Sequence, residues 1–159
     1  MSRRHAGVLA ILSALALLAV NLPASGKPQN FRTHLDGSSE VPPVATDAQG
    51  EAIFQLNSDA TELQFKLNVA NIENVRAAHI HFATEGVNGP VVVPLFTGPT
   101  IAGRFQGTLN AGVITAADLT GPLAGGELED LIVIIESGEA YVNVHTDQNP
   151  GGEIRGQVH

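Results

Sequence analysis

The sequence predicts an all-β fold, an antiparallel β-sandwich of the immunoglobulin-like or Greek-key type with seven or eight strands and one or two short helices. Apolar and polar residues alternate along many short segments, which is the pattern of strands that bury one face. Clusters of Gly, Asn, Asp and Pro separate these segments at short intervals. The chain has 159 residues and no cysteine, so apolar packing must hold the fold without disulfides.

The turn signals bound the predicted strands. Residues 57–61 predict a hairpin loop between two strands that alternate well. Pro42 and Pro43 remove backbone donors, so residues 40–44 are expected to form an edge or an extended loop rather than a central strand. In chain order, the predicted strands cover residues 31–35, 52–56, 63–69, 75–82, 91–96, 103–109, 140–146 and 153–158.

Two short helices are predicted between these strands. Thr115 followed by Asp118 matches a variant of the capping box, and Pro122 ends that helix quickly. Residues 128–135 carry Leu and Ile at helical spacing, with acidic residues at the N-terminal end and Gly138 as a C-terminal cap. The β-branched residues of this second segment leave a strand open as the alternative.

The first 26 residues are typical of a secretory signal peptide, which leaves residues 27–159 as the domain. A basic start with two arginines precedes an apolar run at 6–20, and cleavage is expected after Ala24 or Gly26. The run is shorter than the roughly 20 apolar residues that span a bilayer. We therefore expect a secreted or periplasmic protein with no membrane span after cleavage; an uncleaved anchor is the alternative.

The charge balance argues against nucleic acid as a partner. Residues 1–26 contain two of the eight basic residues and none of the 16 acidic ones, so the remaining chain carries six basic residues and a net charge of −10. Such a surface repels phosphate backbones, and no basic stripe interleaved with aromatic residues is present.

Two predicted strands carry histidines on the face opposite their apolar residues. In the fourth predicted strand, His79 and His81 share a face because side chains alternate with a period of two. In the seventh, His145 shares a face with Tyr141 and Asn143. If the two strands are neighbours, three imidazoles converge on the outer face of the sheet.

Three converging imidazoles predict a transition-metal site with His79, His81 and His145 as ligands. Imidazole nitrogen suits copper, zinc, nickel and iron, and the usual order of affinities favours copper over zinc. The competing interpretation is a set of solvated histidines, which is the commoner role of a single histidine on the exposed face of a strand.

Further polar residues lie near these histidines in the predicted sheet. Tyr141, Asn143 and Glu153 are candidates for hydrogen bonds that fix the orientation of the rings. Arg155 is a candidate for attracting an anion, or alternatively for pairing with Glu153 or Asp147. No group of residues predicts a catalytic nucleophile or a pair of acid–base carboxylates.

Four motifs occur in order along the chain: Ser39-Glu-Val-Pro-Pro-Val44, Ala78-His-Ile-His81 with Asn88-Gly-Pro-Val91, Tyr141-Val-Asn-Val-His-Thr146, and Asn149-Pro-Gly-Gly-Glu-Ile-Arg-Gly-Gln157. Together they resemble the CHRD domain family, which is named for repeats in chordin and also occurs as a single exported domain in bacteria. The resemblance covers about residues 31–158 and implies a β-sandwich. Because chordin is an extracellular regulator, the resemblance also implies a protein-binding or adhesion module, with an extracellular or envelope protein as partner, as the alternative to metal binding.

The histidine strands also resemble, more weakly, the copper site of Cu/Zn superoxide dismutase. That resemblance implies His79 and His81 as the His-X-His copper ligands and His145 as the late copper ligand. Arg155 lies near the place of the active-site arginine. The sequence offers no disulfide cysteines, no bridging histidine and no zinc-loop cluster. A copper-only enzyme that processes superoxide is therefore the third hypothesis.

Overall fold

The structure, a computed structural model, describes residues 29–159. The predicted signal peptide at residues 1–26 lies outside the described residues. Across residues 29–159, no helix is both long enough and apolar enough to cross a membrane.

Residues 29–159 form seven β-strands, one α-helix and two short 3-10 turns. The 3-10 turns cover Ala116–Asp118 and Gly121–Leu123, and the helix α1 covers Leu128–Glu136. The strands are β1 (Gln29–Asp36), β2 (Gln49–Leu56), β3 (Leu63–Phe82), β4 (Val91–Phe96), β5 (Ile101–Ile114), β6 (Ala140–Thr146) and β7 (Ile154–Gln157).

All strand pairs in the sheet are antiparallel, which confirms the all-β, antiparallel prediction. The strand order is β2-β1-β7-β6-β3-β4, with β5 also paired to β3. Because β2 pairs with β3 as well, β1, β2, β3, β6 and β7 close into a ring of five strands. The predicted sandwich of two facing sheets is not confirmed, because β3 pairs with both β2 and β6 and so closes the sheet on itself.

The strand β3 replaces two predicted strands, 63–69 and 75–82, with a single strand of 20 residues. Asn71 and Asn74 interrupt its regular pairing with φ of 54°, a left-handed conformation that Asn tolerates better than most residues. Before this irregularity β3 pairs with β2, and after it β3 pairs with β4 and β6, while the pairing with β5 continues through it as far as Val75. The change of partners places the histidine-bearing half of β3 beside β6.

The core fills the inside of the closed ring with alternate residues of its strands. Ala78 and Ile80 of β3 and Val142 and Val144 of β6 are all 0% exposed. These are the apolar residues that alternate with the histidines and their neighbours in the sequence. The predicted division of both strands into an apolar face and a polar face is therefore confirmed.

Both predicted helical segments form. The backbone N–H and the hydroxyl of Thr115 donate to the Asp118 carboxylate at 2.8 and 2.9 Å. At the start of α1, the Glu127 N–H donates to Asp130 Oδ2 at 2.9 Å. Leu131 and Ile135 are at most 1% exposed and pack into the core, so the helical interpretation of this segment is confirmed over the strand alternative.

Truncating Ile80 to alanine is expected to destabilise the fold by about 2–5 kcal/mol, because a fully buried side chain would leave a cavity behind the histidine strand. The free energy of unfolding in urea measures this change. Val133 on α1 is 54% exposed, so Val133→Ala is the control and should change stability by less than about 0.5 kcal/mol. Equal effects of the two substitutions would contradict the assignment of the core.

Candidate metal centre

The pairing of β3 with β6 brings the three histidines together. In the antiparallel register, His79 lies opposite Asn143 and His81 lies opposite Tyr141. His145 lies two residues further along β6, on the same face as both. The face opposite the core therefore carries all three imidazoles side by side, as the sequence predicted.

The three imidazoles present their nitrogens to one small volume. One ligand nitrogen from each of His79, His81 and His145 lies within 4.8 Å of the other two. Among residues 29–159, no other group of three or more His, Cys, Asp or Glu side chains is so arranged. The ring centroids are 5.0 Å apart for His79 and His145, 5.7 Å for His79 and His81, and 6.0 Å for His81 and His145.

The distances between the ring nitrogens are close to those expected when imidazoles share one metal ion. His79 Nδ1 and His145 Nε2 are 3.1 Å apart, so an ion at the usual bond length of about 2.0 Å from each would make an N–metal–N angle of about 100°. Two nitrogens across one ion can be at most about 4.2 Å apart. The 4.8 Å limit of the cluster exceeds that span by a distance that small rotations of the rings can close.

Two backbone carbonyls determine which nitrogens face this volume. His81 Nδ1 lies 2.9 Å from the Gly89 carbonyl oxygen, and His145 Nδ1 lies 3.0 Å from the Pro150 carbonyl oxygen. A carbonyl oxygen only accepts, so both Nδ1 atoms must carry a proton and donate it. In the neutral rings, each Nε2 then keeps its lone pair for a ligand.

His81 Nε2 has no hydrogen-bond partner although it is fully buried. The side chain as a whole is 9% exposed. A buried polar atom without a partner normally costs free energy, and a metal bond is one way to satisfy it. The donor set therefore fits a metal ion, with the unpartnered Nε2 of His81 as one available ligand atom.

The surroundings keep all three imidazoles neutral. Burial first, and repulsion from His145 and His81 second, lower the pKa of His79 from 6.5 to about 4. Burial also lowers the pKa of His81 and of His145, against the opposing hydrogen bonds to Gly89 and Pro150. Neutral imidazole is the form that binds a metal, so protons compete weakly here at neutral pH.

Tyr141 contacts the centre directly. Its ring lies parallel to the His81 ring, with an interplanar angle of 9° and 4.8 Å between centroids. The Tyr141 hydroxyl accepts the backbone N–H of Gly89 at 3.1 Å. Gly89 thus contacts both rings, since its carbonyl oxygen accepts from His81.

Asn143 and Glu153 lie near the histidines without bonding to them. Asn143 donates through Nδ2 to Glu40 Oε1 at 2.6 Å. Glu153 accepts hydrogen bonds from Thr46 and Thr146, and from Asn149 at 3.1 Å, which ties down the loop at 147–153. That loop supplies the Pro150 carbonyl, so Glu153 supports His145 through the backbone.

Arg155 pairs with Glu40 rather than with Glu153 or Asp147. Its guanidinium lies 3.1 Å from Glu40 Oε2, and both side chains are at most 5% exposed. It also donates to the Val87 carbonyl at 3.2 Å and to the Asn88 side chain. The predicted partner Asp147 instead pairs with Arg76 at 3.3 Å on the surface. The guanidinium thus bonds to protein groups, and the expectation that Arg155 attracts an anion stays a prediction.

The outer face of the histidine strands is covered by loops. Tyr141 and Asn143 are 2% and 1% exposed, whereas the sequence predicted an open outer face. The loops at 37–48 and 83–90 supply the contacts that bury them, through Glu40 and Gly89. The site therefore lies at the margin of a buried polar network.

Sequence reasoning missed three groups that the structure places around the site. The sequence predicts that Glu40, in an edge or extended loop, accepts backbone hydrogen bonds or contributes to stability, and it does not indicate the pairing with Arg155. Gly89 and Pro150 act through backbone carbonyls, which leave no side-chain pattern to find. The one sequence signal for Glu40 is a carboxylate two residues before a pair of prolines.

A model of the CHRD domain matches residues 31–158. The chain belongs to the CHRD domain family. This match confirms the resemblance drawn from the sequence motifs, and it spans both histidine strands and the loops around them. Comparisons with curated proteins and with solved structures gave no match.

The metal-free CHRD domain is expected to lose stability as the pH falls from about 6.5 to about 4. In that range the unfolded chain binds a proton at His79 that the folded protein excludes, so protonation favours unfolding; the contribution is fully present above 6.5. Urea denaturation across this pH range, compared between wild type and His79→Gln, isolates it as a flatter profile in the variant. His34 is exposed, so His34→Gln is the control and should keep the wild-type pH profile. If the stability of His79→Gln fell with pH as steeply as that of wild type, the prediction would be contradicted.

Proposed function

We propose that this CHRD domain is an exported transition-metal-binding module, with His79, His81 and His145 as the protein ligands. The proposal is supported by the cluster of three neutral imidazoles whose ligand nitrogens lie within 4.8 Å. The strongest single observation is the buried, unpartnered Nε2 of His81, because its Nδ1 is already committed to Gly89.

We favour copper as the ion. Three imidazoles on strands that are fixed in register leave further coordination positions of an ion available to water or another ligand. The general affinity order of divalent first-row metals places Cu²⁺ above Zn²⁺ for nitrogen sites, and no thiolate is present to select otherwise.

Titration with Cu²⁺ and Zn²⁺, followed by isothermal calorimetry against a competing chelator, tests the site. We expect one ion per chain, with Cu²⁺ bound more tightly than Zn²⁺. Each of His79→Ala, His81→Ala and His145→Ala should weaken Cu²⁺ binding by at least about 10–100-fold. That is the loss seen when a group hydrogen-bonded to a metal ligand is removed, and loss of the ligand itself should cost no less.

His34→Ala is the matched control, since His34 is an exposed histidine on β1 away from the cluster. Its affinity should equal that of wild type. Circular dichroism of every variant separates loss of a ligand from loss of the fold. Wild-type affinity in all three cluster variants would show that Cu²⁺ does not bind at these histidines, and no binding by the wild-type protein would leave the protein-binding alternative.

Export is proposed on the sequence pattern of residues 1–26. The basic start, the apolar run and the small residues that follow are the features that a signal peptidase reads. Mass spectrometry of the protein recovered from the cell envelope or the medium should find an N-terminus at Ser25 or Lys27. An intact Met1 on the recovered protein would contradict cleavage.

A further inference from the structure

We propose that the buried Glu40–Arg155 pair is a positioning device for His81, acting through the turn at residues 87–89. This inference deepens the proposed metal site and rests on it for its purpose. Neither of the two charged residues bonds to an imidazole, yet both are connected to His81 by a continuous set of hydrogen bonds.

The first connection runs from the arginine to the turn. Arg155 donates to the Val87 carbonyl at 3.2 Å and to the Asn88 side-chain oxygen, so two adjacent residues of the turn are tied to one guanidinium. The Asn88 amide in turn donates to the Val41 carbonyl at 2.9 Å, next to Glu40. The planar fork of arginine is suited to hold several acceptors at once.

The second connection runs from the turn to the imidazole. Gly89 accepts from His81 Nδ1 at 2.9 Å and donates its N–H to the Tyr141 hydroxyl at 3.1 Å. The Tyr141 ring stacks on His81, and the Arg155 guanidinium carbon lies 4.1 Å from the centre of the Tyr141 ring. His81 is therefore held at its edge by a carbonyl and on its face by a ring, and both holding groups contact Arg155 or the turn it fixes.

Glu40 completes the device by fixing the arginine. Its two carboxylate oxygens accept from Arg155 and from Asn143, at 3.1 and 2.6 Å. Burial raises the pKa of Glu40, and the guanidinium opposes that rise, so the ionised pair depends on both partners being present. Residue 89 is also limited to glycine, because a Cβ there would collide with the backbone carbonyl of Phe82.

His145 offers an internal comparison, because its support is separate. Its Nδ1 bonds to the Pro150 carbonyl in the 147–153 loop, which Glu153 fixes through Thr146 and Asn149. Loss of the Glu40–Arg155 pair should therefore change which ring nitrogen of His81 carries the proton, and the protonated nitrogen of His145 should stay the same.

The test uses the metal-free protein and ¹⁵N NMR of the histidine rings, which distinguishes Nδ1–H from Nε2–H tautomers. In wild type we expect His81 and His145 both as the Nδ1–H tautomer. In Arg155→Lys, the positive charge beside Glu40 is kept but the fork to the turn is lost, so His81 should show a mixture while His145 does not. Glu40→Gln should give the same mixture.

Cu²⁺ affinity gives the second measurement. Arg155→Lys and Glu40→Gln should each bind Cu²⁺ about 10–100-fold more weakly than wild type. Arg76→Lys is the control, because Arg76 makes an arginine–carboxylate pair that is more than half exposed and does not touch the turn. If the buried variants fail to fold, Asn88→Ala removes one anchor of the turn from an exposed position, and it should shift the His81 tautomer in the same direction.

The outcomes separate this inference from the proposed function. A wild-type protein that binds no Cu²⁺ would remove the metal site, while the tautomer measurement would still decide whether the pair positions His81. A single Nδ1–H tautomer of His81 in all variants that fold would overturn the positioning role. Weaker Cu²⁺ binding with that tautomer unchanged would also overturn it, because the effect would then act elsewhere.

Discussion

The antiparallel pairing of β3 with β6 is the constraint on which the candidate site depends. Side chains alternate strictly along both strands, so the register that sends Ile80 and Val142 into the core also sends the histidines outward together. A slip of one residue would turn His145 into the closed ring and expose Val144. Because burial of the apolar residues fixes the register, the stability of the core and the geometry of the centre are set by the same contacts.

Burial keeps the histidine cluster neutral, and at His79 repulsion from the two neighbouring rings adds to this effect. Three imidazolium ions with centroids 5.0–6.0 Å apart would repel one another in a setting where burial already disfavours charge. The proton between His79 and His145 occupies a 3.1 Å gap between two nitrogens, which is also a suitable gap for a bridging metal ion. An ion bound there would take the place of this proton, and His79 would stay neutral by carrying its proton on Nε2 instead of Nδ1.

The sequence predicted the local structure well because alternation and turn residues are local signals. The strand at Val91–Phe96 and the strand at Ala140–Thr146 have the predicted bounds. Closure of the ring depends on pairing between β2 and β3 and between β3 and β6, and the two positive-φ asparagines that let β3 change partners look like a break between two strands. The three candidate ligands followed from periodicity, but the orientation of His81 and His145 did not, since the groups that orient them are the carbonyls of Gly89 and Pro150.

The Glu40–Arg155 pair is difficult to explain by stability alone. Removing two charges from water costs several kcal/mol per ion, and well-packed apolar side chains of similar size often stabilise a fold as well or better. An apolar pair could not hold the Val87 carbonyl and the Asn88 side chain, and Asn143 would lose the acceptor for its amide. The charges lie where the backbone that accepts from His81 is fixed. That location, rather than the strength of the ion pair, connects it to the candidate metal centre.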